Sequence, residues 1–570
     1  VSVRRELSPT DTELGTWHYG GEYFPAPPWV GGQLDKLPRE IRRHVIHPSG
    51  HCTKHYFGAN PGWGIPRQDS VPGWDFGLPF TWEASSAGMW LSSEVFPSHD
   101  PTTLLCTGPS PIRSRYVLYE HDQPQANYGD TNEHLHNTNR RLTASRTVYH
   151  DDGDRFVETI FDDFDGLGHF RETVTGGNFD AGNDRESFTS YNPGVGTYDW
   201  DIVAQAYGTN HSFTMLSTSG PWVLGTFTER TVTEGGDTAR EETCFDANDG
   251  FLLRRRTLAG TSHSGKDLIA VFTKTGSGQV QDESYYGGDG AGLASGELCT
   301  LSLPSGAPSY KISHSYEFGA LRRSVYLDET DEDLPFRIFD ATIDANTGLV
   351  ATSRDSSGQI ETIYDYDKLG RLISADPEVG EGATTTYDYT PYSTSGPAKV
   401  TVTQTGWLGL LAESEFEFDG FGRIATERRL MADSSRPERV TTYDEAGRKA
   451  TGSEWGNPSS VTQFLDYDEF DRPGRIEAPD TTEVSFAYQG VRVVDRTVEI
   501  AKSAGATDVT TREIYDRQGR LYRVQEPKDT GVIFTYSYDE GGRLAQVHTD
   551  PSGANNEQTR SFNYDGRGFL

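Results

Sequence analysis

The chain has 570 residues, with 85 Asp and Glu against 51 Lys and Arg, giving a formal charge of −34 and a pI near 4.8. That balance excludes a protein built to neutralise a phosphate backbone, which needs a basic surface. Only 34% of residues are apolar while Gly (62) and Pro (29) are abundant, which excludes a helical protein with a large aliphatic core, and no apolar stretch approaches the ~20 residues of a spanning helix.

In chain order, residues 1–140 read as a Trp-, Pro- and Gly-rich irregular β segment, expected to act as a cap or plug. Trp17, Trp29, Trp63, Trp74, Trp82 and Trp90 all fall here. Burial of these rings is the simpler reading; a platform for sugar rings, which stack on exposed Trp faces, is the sharper one. His44, His47, His51 and His55, with Cys52, form the densest set of metal-ligating residue types. If Ser49 and Gly50 centre a two-residue turn, His44 faces His55 and His47 faces Cys52. Those two pairs then point to opposite faces of a hairpin, so four-ligand closure around zinc fails. The cluster is read as turn-flanking polar residues, and no metal or other cofactor is expected. The four cysteines, Cys52, Cys106, Cys244 and Cys299, include no CxxC pair. They read as buried thiols or at most two bridges.

Residues 141–340 read as degenerate β-hairpin repeats. Phe164-Asp165-Gly166-Leu167-Gly168-His169, the stretch from Phe245 to Gly250 and, just past this segment, that from Ile343 to Gly348 carry an aromatic or aliphatic residue, Asp and a following Gly. The run Gly260 to Lys266 spells most of a phosphate-cradling loop, but Asp267 stands where a hydroxyl is required. The residues after it, Leu268 to Phe272, read as a strand rather than a helix. Acid runs such as Asp151-Asp152-Gly153-Asp154 and Asp328 to Asp333 lack the ligand spacing of a calcium loop and read as solvated loops.

Residues 341–570 carry well-formed repeats of one phrase: aromatic, Asp, two variable residues, Gly, Arg. Its five intact copies are Tyr366-Asp367-x-x-Gly370-Arg371, Phe418-Asp419-x-x-Gly422-Arg423, Tyr443-Asp444-x-x-Gly447-Arg448, Tyr515-Asp516-x-x-Gly519-Arg520 and Tyr538-Asp539-x-x-Gly542-Arg543. In two further copies, Tyr467 to Arg472 has Asp in the Gly slot and Tyr564 to Phe569 has Phe in the Arg slot. The aromatic positions are separated by 52, 25, 24, 48, 23 and 26 residues, and the two long gaps hold eroded copies around Tyr389 and Tyr488. Asp followed three residues later by Gly suits a type I turn, in which the Asp side chain accepts backbone N–H groups and Gly takes the left-handed conformation. Flanking residues alternate with a period of two, so each repeat predicts one β-hairpin of about 24 residues. Pro-containing turns close the other ends at Asp376-Pro377, Pro479-Asp480, Glu526-Pro527 and Asp550-Pro551.

On these phrases the chain resembles the Rhs/YD-repeat family, found in bacterial polymorphic toxins, in the toxin-bearing component of insecticidal complexes and in teneurins. The resemblance implies that the ribbon of hairpins winds into a hollow shell. The expected fold class is therefore all-β: repeated antiparallel β-hairpins forming a spiralling β-sheet shell. It also implies a structural, encapsulating segment rather than an enzyme. The partner expected is a polypeptide cargo or C-terminal toxin domain outside this chain, in a secreted or cell-surface setting. The alternative is an adhesion module that binds glycans or a cell-surface protein. Neither nucleic acid nor a membrane span is expected. In toxin-bearing members the shell ends in paired Asp-Pro-x-Gly elements that cleave the chain. Only Asp550-Pro551-Ser552-Gly553 has that spelling here, and it reads as a hairpin turn, so the repeats are expected to be truncated at the C-terminal end. The repeat Tyr, Asp, Gly and Arg residues are read as structural, with no catalytic or cofactor-binding residue assigned.

Overall fold

The computed structural model describes residues 3–7, 13–23, 40–58, 90–121, 140–191 apart from 165–167 and 181–183, and 223–564 apart from short breaks, the longest 328–335 and 500–507. Among the described residues the chain is a succession of antiparallel strands, with one 3-10 turn at His150–Asp152. Thirty-six strands form one sheet. Each strand pairs with its neighbours in chain order, as in Glu361–Tyr366 with Leu372–Pro377, and Gly409–Phe418 with both Ala398–Gly406 and Ile424–Arg429. The one excursion is a separate two-stranded ribbon, Ser98–Asp100 with Leu105–Thr107, between strands Trp90–Phe96 and Arg113–His121 that themselves pair. A meander of this kind needs only short turns, and Thr, Val and Tyr at alternate positions suit a pleated surface that is half exposed on each side.

Buried apolar side chains concentrate before residue 345. Ile46, Tyr56, Leu91, Val117 and Val148 are examples, and Ile269, Leu298 and Leu301 gather around the Cys244–Cys299 bridge. Beyond Ile343, Val493 is the sole fully buried apolar residue among those described. Among the described residues the repeat region is therefore a single layer, with no second sheet over it and both faces partly exposed.

The sheet also returns upon itself. The Gly490 N–H donates to Asp151 Oδ2 at 3.0 Å, and Arg492 Nε and Nη2 donate to the Asp152 carboxylate, each at 3.2 Å. These partners lie 339 and 340 residues apart in the chain. On either side of them the Arg113 guanidinium lies 3.9 Å from the Phe470 ring centroid, Arg517 bonds Asp184 and the Asp180 carbonyl, and Arg520 bonds Glu234. Turn tips of the repeats thus abut hairpin ends from the first half of the chain. This seam makes the long ribbon a spiral, the all-β hairpin architecture expected from the repeats.

Two expectations for the first hairpin are corrected. Strand Glu40–Ile46 pairs with Cys52–Gly58 so that His44 faces Lys54, Arg43 faces His55 and Ile46 faces Cys52, one residue out of the predicted register. The reason is the turn. His47 N–H donates to the His51 carbonyl at 3.0 Å and Gly50 N–H to the His47 carbonyl at 2.8 Å, with Gly50 at φ 91°. Three residues rather than two therefore close the loop, and a one-residue shift exchanges the faces of every side chain. His44 and Cys52 now share a face, with His47 and His51 on the other. The cysteines form two bridges, Cys52–Cys106 and Cys244–Cys299, at the upper limit of what their spacing allowed. Of the six early tryptophans, Trp17 stands opposite Arg4 and Trp90 opposite Phe57 in the sheet, while Trp29, Trp63, Trp74 and Trp82 lie outside the described residues.

Candidate functional site

The repeated phrase folds into one clasp, seen most completely at Phe418 to Arg423. The incoming strand ends at Phe418 and the outgoing one starts at Ile424, which pair directly across a bulge. Asp419 N–H donates to the Arg423 carbonyl at 2.9 Å, and Gly422 N–H to the Asp419 carbonyl at 3.0 Å. Gly422 sits at φ 77°, and Gly370, Gly447, Gly519 and Gly542 lie between 77° and 88°. A Cβ there costs roughly 1 kcal/mol or more, which is why the phrase requires glycine. Asp471, at φ 60° in the corresponding slot, is one of the few side chains that tolerate this region.

The Asp carboxylate is the centre of the turn. Asp419 Oδ1 accepts the N–H groups of Phe421 and Arg423, each at 2.9 Å, while its Oδ2 accepts Arg423 Nε at 2.7 Å. The Nε–Oδ2 bond is 2.7 Å in all five intact copies and in the Asp468–Arg472 copy. Backbone N–H donation from Arg371 comes first among the causes that hold the Asp367 carboxyl below the usual carboxylate range. For Asp419 burial pushes the other way, and the hydrogen bonds from Arg423 and Phe421 still prevail.

Each clasp is also joined to the next repeat. The Arg423 guanidinium lies 4.0 Å from the Tyr443 ring centroid, and its Nη1 reaches the Gly447 carbonyl at 3.0 Å. The Tyr443 hydroxyl donates to the Ile424 carbonyl, the residue that follows Arg423, at 3.0 Å. The same hydroxyl bond recurs from Tyr467 to Lys449, Tyr538 to Leu521 and Tyr564 to Leu544, and from the eroded copies Tyr389 to Leu372 and Tyr488 to Pro473, at 2.7 to 3.0 Å. Arg371, Arg448, Arg472, Arg520 and Arg543 likewise lie 4.0 to 4.6 Å from the following tyrosine ring. Burial raises the pKa of Tyr443, Tyr467, Tyr488 and Tyr538, which keeps the phenols protonated as donors.

Two members of the set depart. Phe418 has no hydroxyl to give, and Tyr515 turns its hydroxyl to Glu513 at 2.8 Å. Arg492 reaches Asp152 and builds the seam. Sequence reasoning located the clasp but not its link to the next repeat. The signal was present as an Arg followed by an aromatic 16 to 21 residues later. The Phe164 phrase lies partly outside the described residues, and Asp246 and Asp344 close turns one residue longer, Gly250 and Gly348 donating back to them at 2.9 and 2.8 Å.

Chemically, the arrangement cross-links turns: each clasp carboxylate is engaged by its own arginine and by backbone N–H groups. The acid pairs elsewhere follow the same pattern. Asp267 and Arg256, both 0% exposed, meet at 2.9 Å, and Asp267 also accepts the Ser264 N–H and hydroxyl, which is what became of the loop resembling a phosphate cradle.

Residues 515–555, which hold the last two intact phrases, match the family model described as RHS Repeat. No curated protein matches the chain. Among solved structures, the crystal structure of TcdB2-TccC3-TEV is similar at a TM-score of 0.50 and 10% identity, covering 97% of this chain and 41% of that one. That of TcdB2-TccC3-Cdc42 gives a TM-score of 0.24 at 10% identity, over 98% and 47%. This chain therefore spans less than half the length of either. No helix among the described residues is long and apolar enough to cross a membrane. With its clasps, its single spiralling sheet and its matched repeat region, the chain carries Rhs/YD-type repeats on an all-β, shell-like fold.

Proposed function

We propose that this chain is a segment of an encapsulating shell whose enclosed space holds a polypeptide made with it or beside it. The observation that carries the reading is the seam: a sheet of 36 strands in which an early and a late hairpin turn are held together by Arg492–Asp152 and Gly490–Asp151 across some 340 residues. A single layer that returns on itself bounds a space instead of filling one. The likeness in fold to TcdB2-TccC3-TEV supports the same reading. The clasps are the structural residues of that wall, and the first 140 residues serve as its cap. Two disulfides suit an oxidising compartment, consistent with a secreted or cell-surface location.

The test is to purify the chain as it is produced, digest it with a broad-specificity protease, and take intact masses of everything retained before and after. A second polypeptide that copurifies and survives digestion until the shell is unfolded supports encapsulation. A mass matching this chain alone, with nothing protected, overturns it in favour of a surface that binds glycans or partner proteins.

A further inference from the structure

The Cys52–Cys106 bridge is closed against a histidine. His44 lies two residues before Ile46, the strand partner of Cys52, so both occupy one face of the hairpin, and the Ser98–Thr107 ribbon brings Cys106 onto it. His44 is 1% exposed and Cys52 0%. The ligand atoms of His44, Cys52 and Cys106 all lie within 4.8 Å of one another. His44 Nδ1 accepts the Cys106 N–H at 3.0 Å, a bond the ring gives up when that lone pair goes to a metal. Tetrahedral zinc, with bonds of ~2.3 Å to sulfur and ~2.0–2.1 Å to nitrogen, holds its ligand atoms roughly 3.3–3.8 Å apart. Opening the S–S bond and modest rotation of the two cysteines reaches that spacing.

A further histidine stands on the ribbon beside the site. His99 stands directly opposite Cys106, and its Nδ1 is 2.8 Å from the Gly50 carbonyl. A carbonyl only accepts, so Nδ1 carries the proton and Nε2 keeps its lone pair, the way ligating histidines are commonly oriented. His99 and Ile46, the strand partners of the two cysteines, both line a cavity of about 370 Å³, which brings solvent beside the bridge's neighbours.

We propose that, once Cys52–Cys106 is reduced, His44, Cys52 and Cys106 bind zinc, with His99 Nε2 or water in the fourth position. A dithiol reductant opens the bridge to two thiols and is itself oxidised to a disulfide. Zn²⁺ then displaces two thiol protons to solvent as two Zn–S bonds form. Transfer of two electrons to a disulfide oxidant restores the bridge and releases the ion. The same residues thus clip the hairpin to the ribbon by metal in a reducing compartment and by a covalent bond in an oxidising one. His47 and His51, on the other face, take no part.

The experiment uses the full chain, reduced anaerobically, with cobalt(II) as the probe. The expected result is one equivalent bound, with a sulfur-to-cobalt charge-transfer band and tetrahedral d–d bands, all displaced by zinc and absent from the oxidised chain. Cys106→Ser at least halves the charge-transfer band, and His44→Gln weakens binding at least tenfold. Because a buried His44 variant can misfold, alkylation of Cys52 and Cys106 in the reduced wild-type chain is followed peptide by peptide, and zinc slows it at least tenfold. A reduced chain that shows no sulfur-to-cobalt band, or whose two thiols alkylate equally fast with and without zinc, overturns the proposal.

Discussion

Arg423 and Tyr443 belong to successive repeats yet act as one unit: the guanidinium that closes the Asp419 turn lies 4.0 Å from the Tyr443 ring centroid, and the Tyr443 hydroxyl bonds the carbonyl next to Arg423. Turn closure and attachment of the next hairpin are therefore the same event, repeated along the wall. In a sheet with almost no buried apolar layer, such links take the place of a core. A neutral hydrogen bond is worth about 1 kcal/mol and an exposed cation–π contact about 0.5–1 kcal/mol. Tyr443→Phe is expected to destabilise the folded chain by about 1 kcal/mol and Arg423→Ala by more, in urea unfolding. A double-mutant cycle between Arg423→Ala and Tyr443→Leu should show coupling of about 0.5 kcal/mol or more. Additive losses would show that the contact carries no energy.

Gly447→Ala places a Cβ at φ 88°, 3.1 Å from Arg423 Nη1. A loss of about 1–2 kcal/mol is expected, together with faster amide exchange around 443–448. The same substitution at Gly452, at no left-handed φ and near only the flexible end of Lys449, should cost less and serves as the control.

Asp267→Ala strands the Arg256 guanidinium, which is fully buried. Removing one partner of a buried ion pair typically costs about 3–5 kcal/mol. Thermal unfolding should therefore show Asp267→Ala to be far more damaging than Asp367→Ala in an exposed clasp, and equal shifts in Tm would contradict this account of the loop.

Acid should loosen the first hairpin. His47 and His51 stack at 4.0 Å between ring centroids, near Asp468, Asp471, Glu445 and Arg448 of the repeat turns. Burial first, then His47 and Arg448, push the His51 pKa down to about 4 against the attraction of Asp468, and burial also lowers His47 and His55. A group whose folded pKa is depressed is held neutral by folding. Its contribution is complete above the unfolded value near 6.5 and is lost as pH falls from there toward 4. Tm should therefore fall across that window, and less steeply in His51→Asn. A profile identical in both chains would remove His51 from the account.

Much of this was readable in the sequence, and the limits have physical causes. Asp367, Gly370 and Arg371 announce a turn because their requirements are local: a short acceptor, a left-handed φ and a donor within five residues. The His47–His51 turn obeys the same hydrogen-bond pattern with Pro48 and Gly50 but without Asp, so its length was misjudged and its register slipped by one. Spacing left the cysteine pairing open, because sequence separation carries no information on which strands become neighbours. The Arg492–Asp152 seam depends on the curvature accumulated over all the intervening hairpins, a property no single phrase encodes.

The most direct measurement is a cryo-electron microscopy map of the purified particle. The account predicts one continuous β wall around an enclosed space, with Arg492 against Asp152 at the seam. A flat or solid stack of sheets, with those two residues apart, would contradict it.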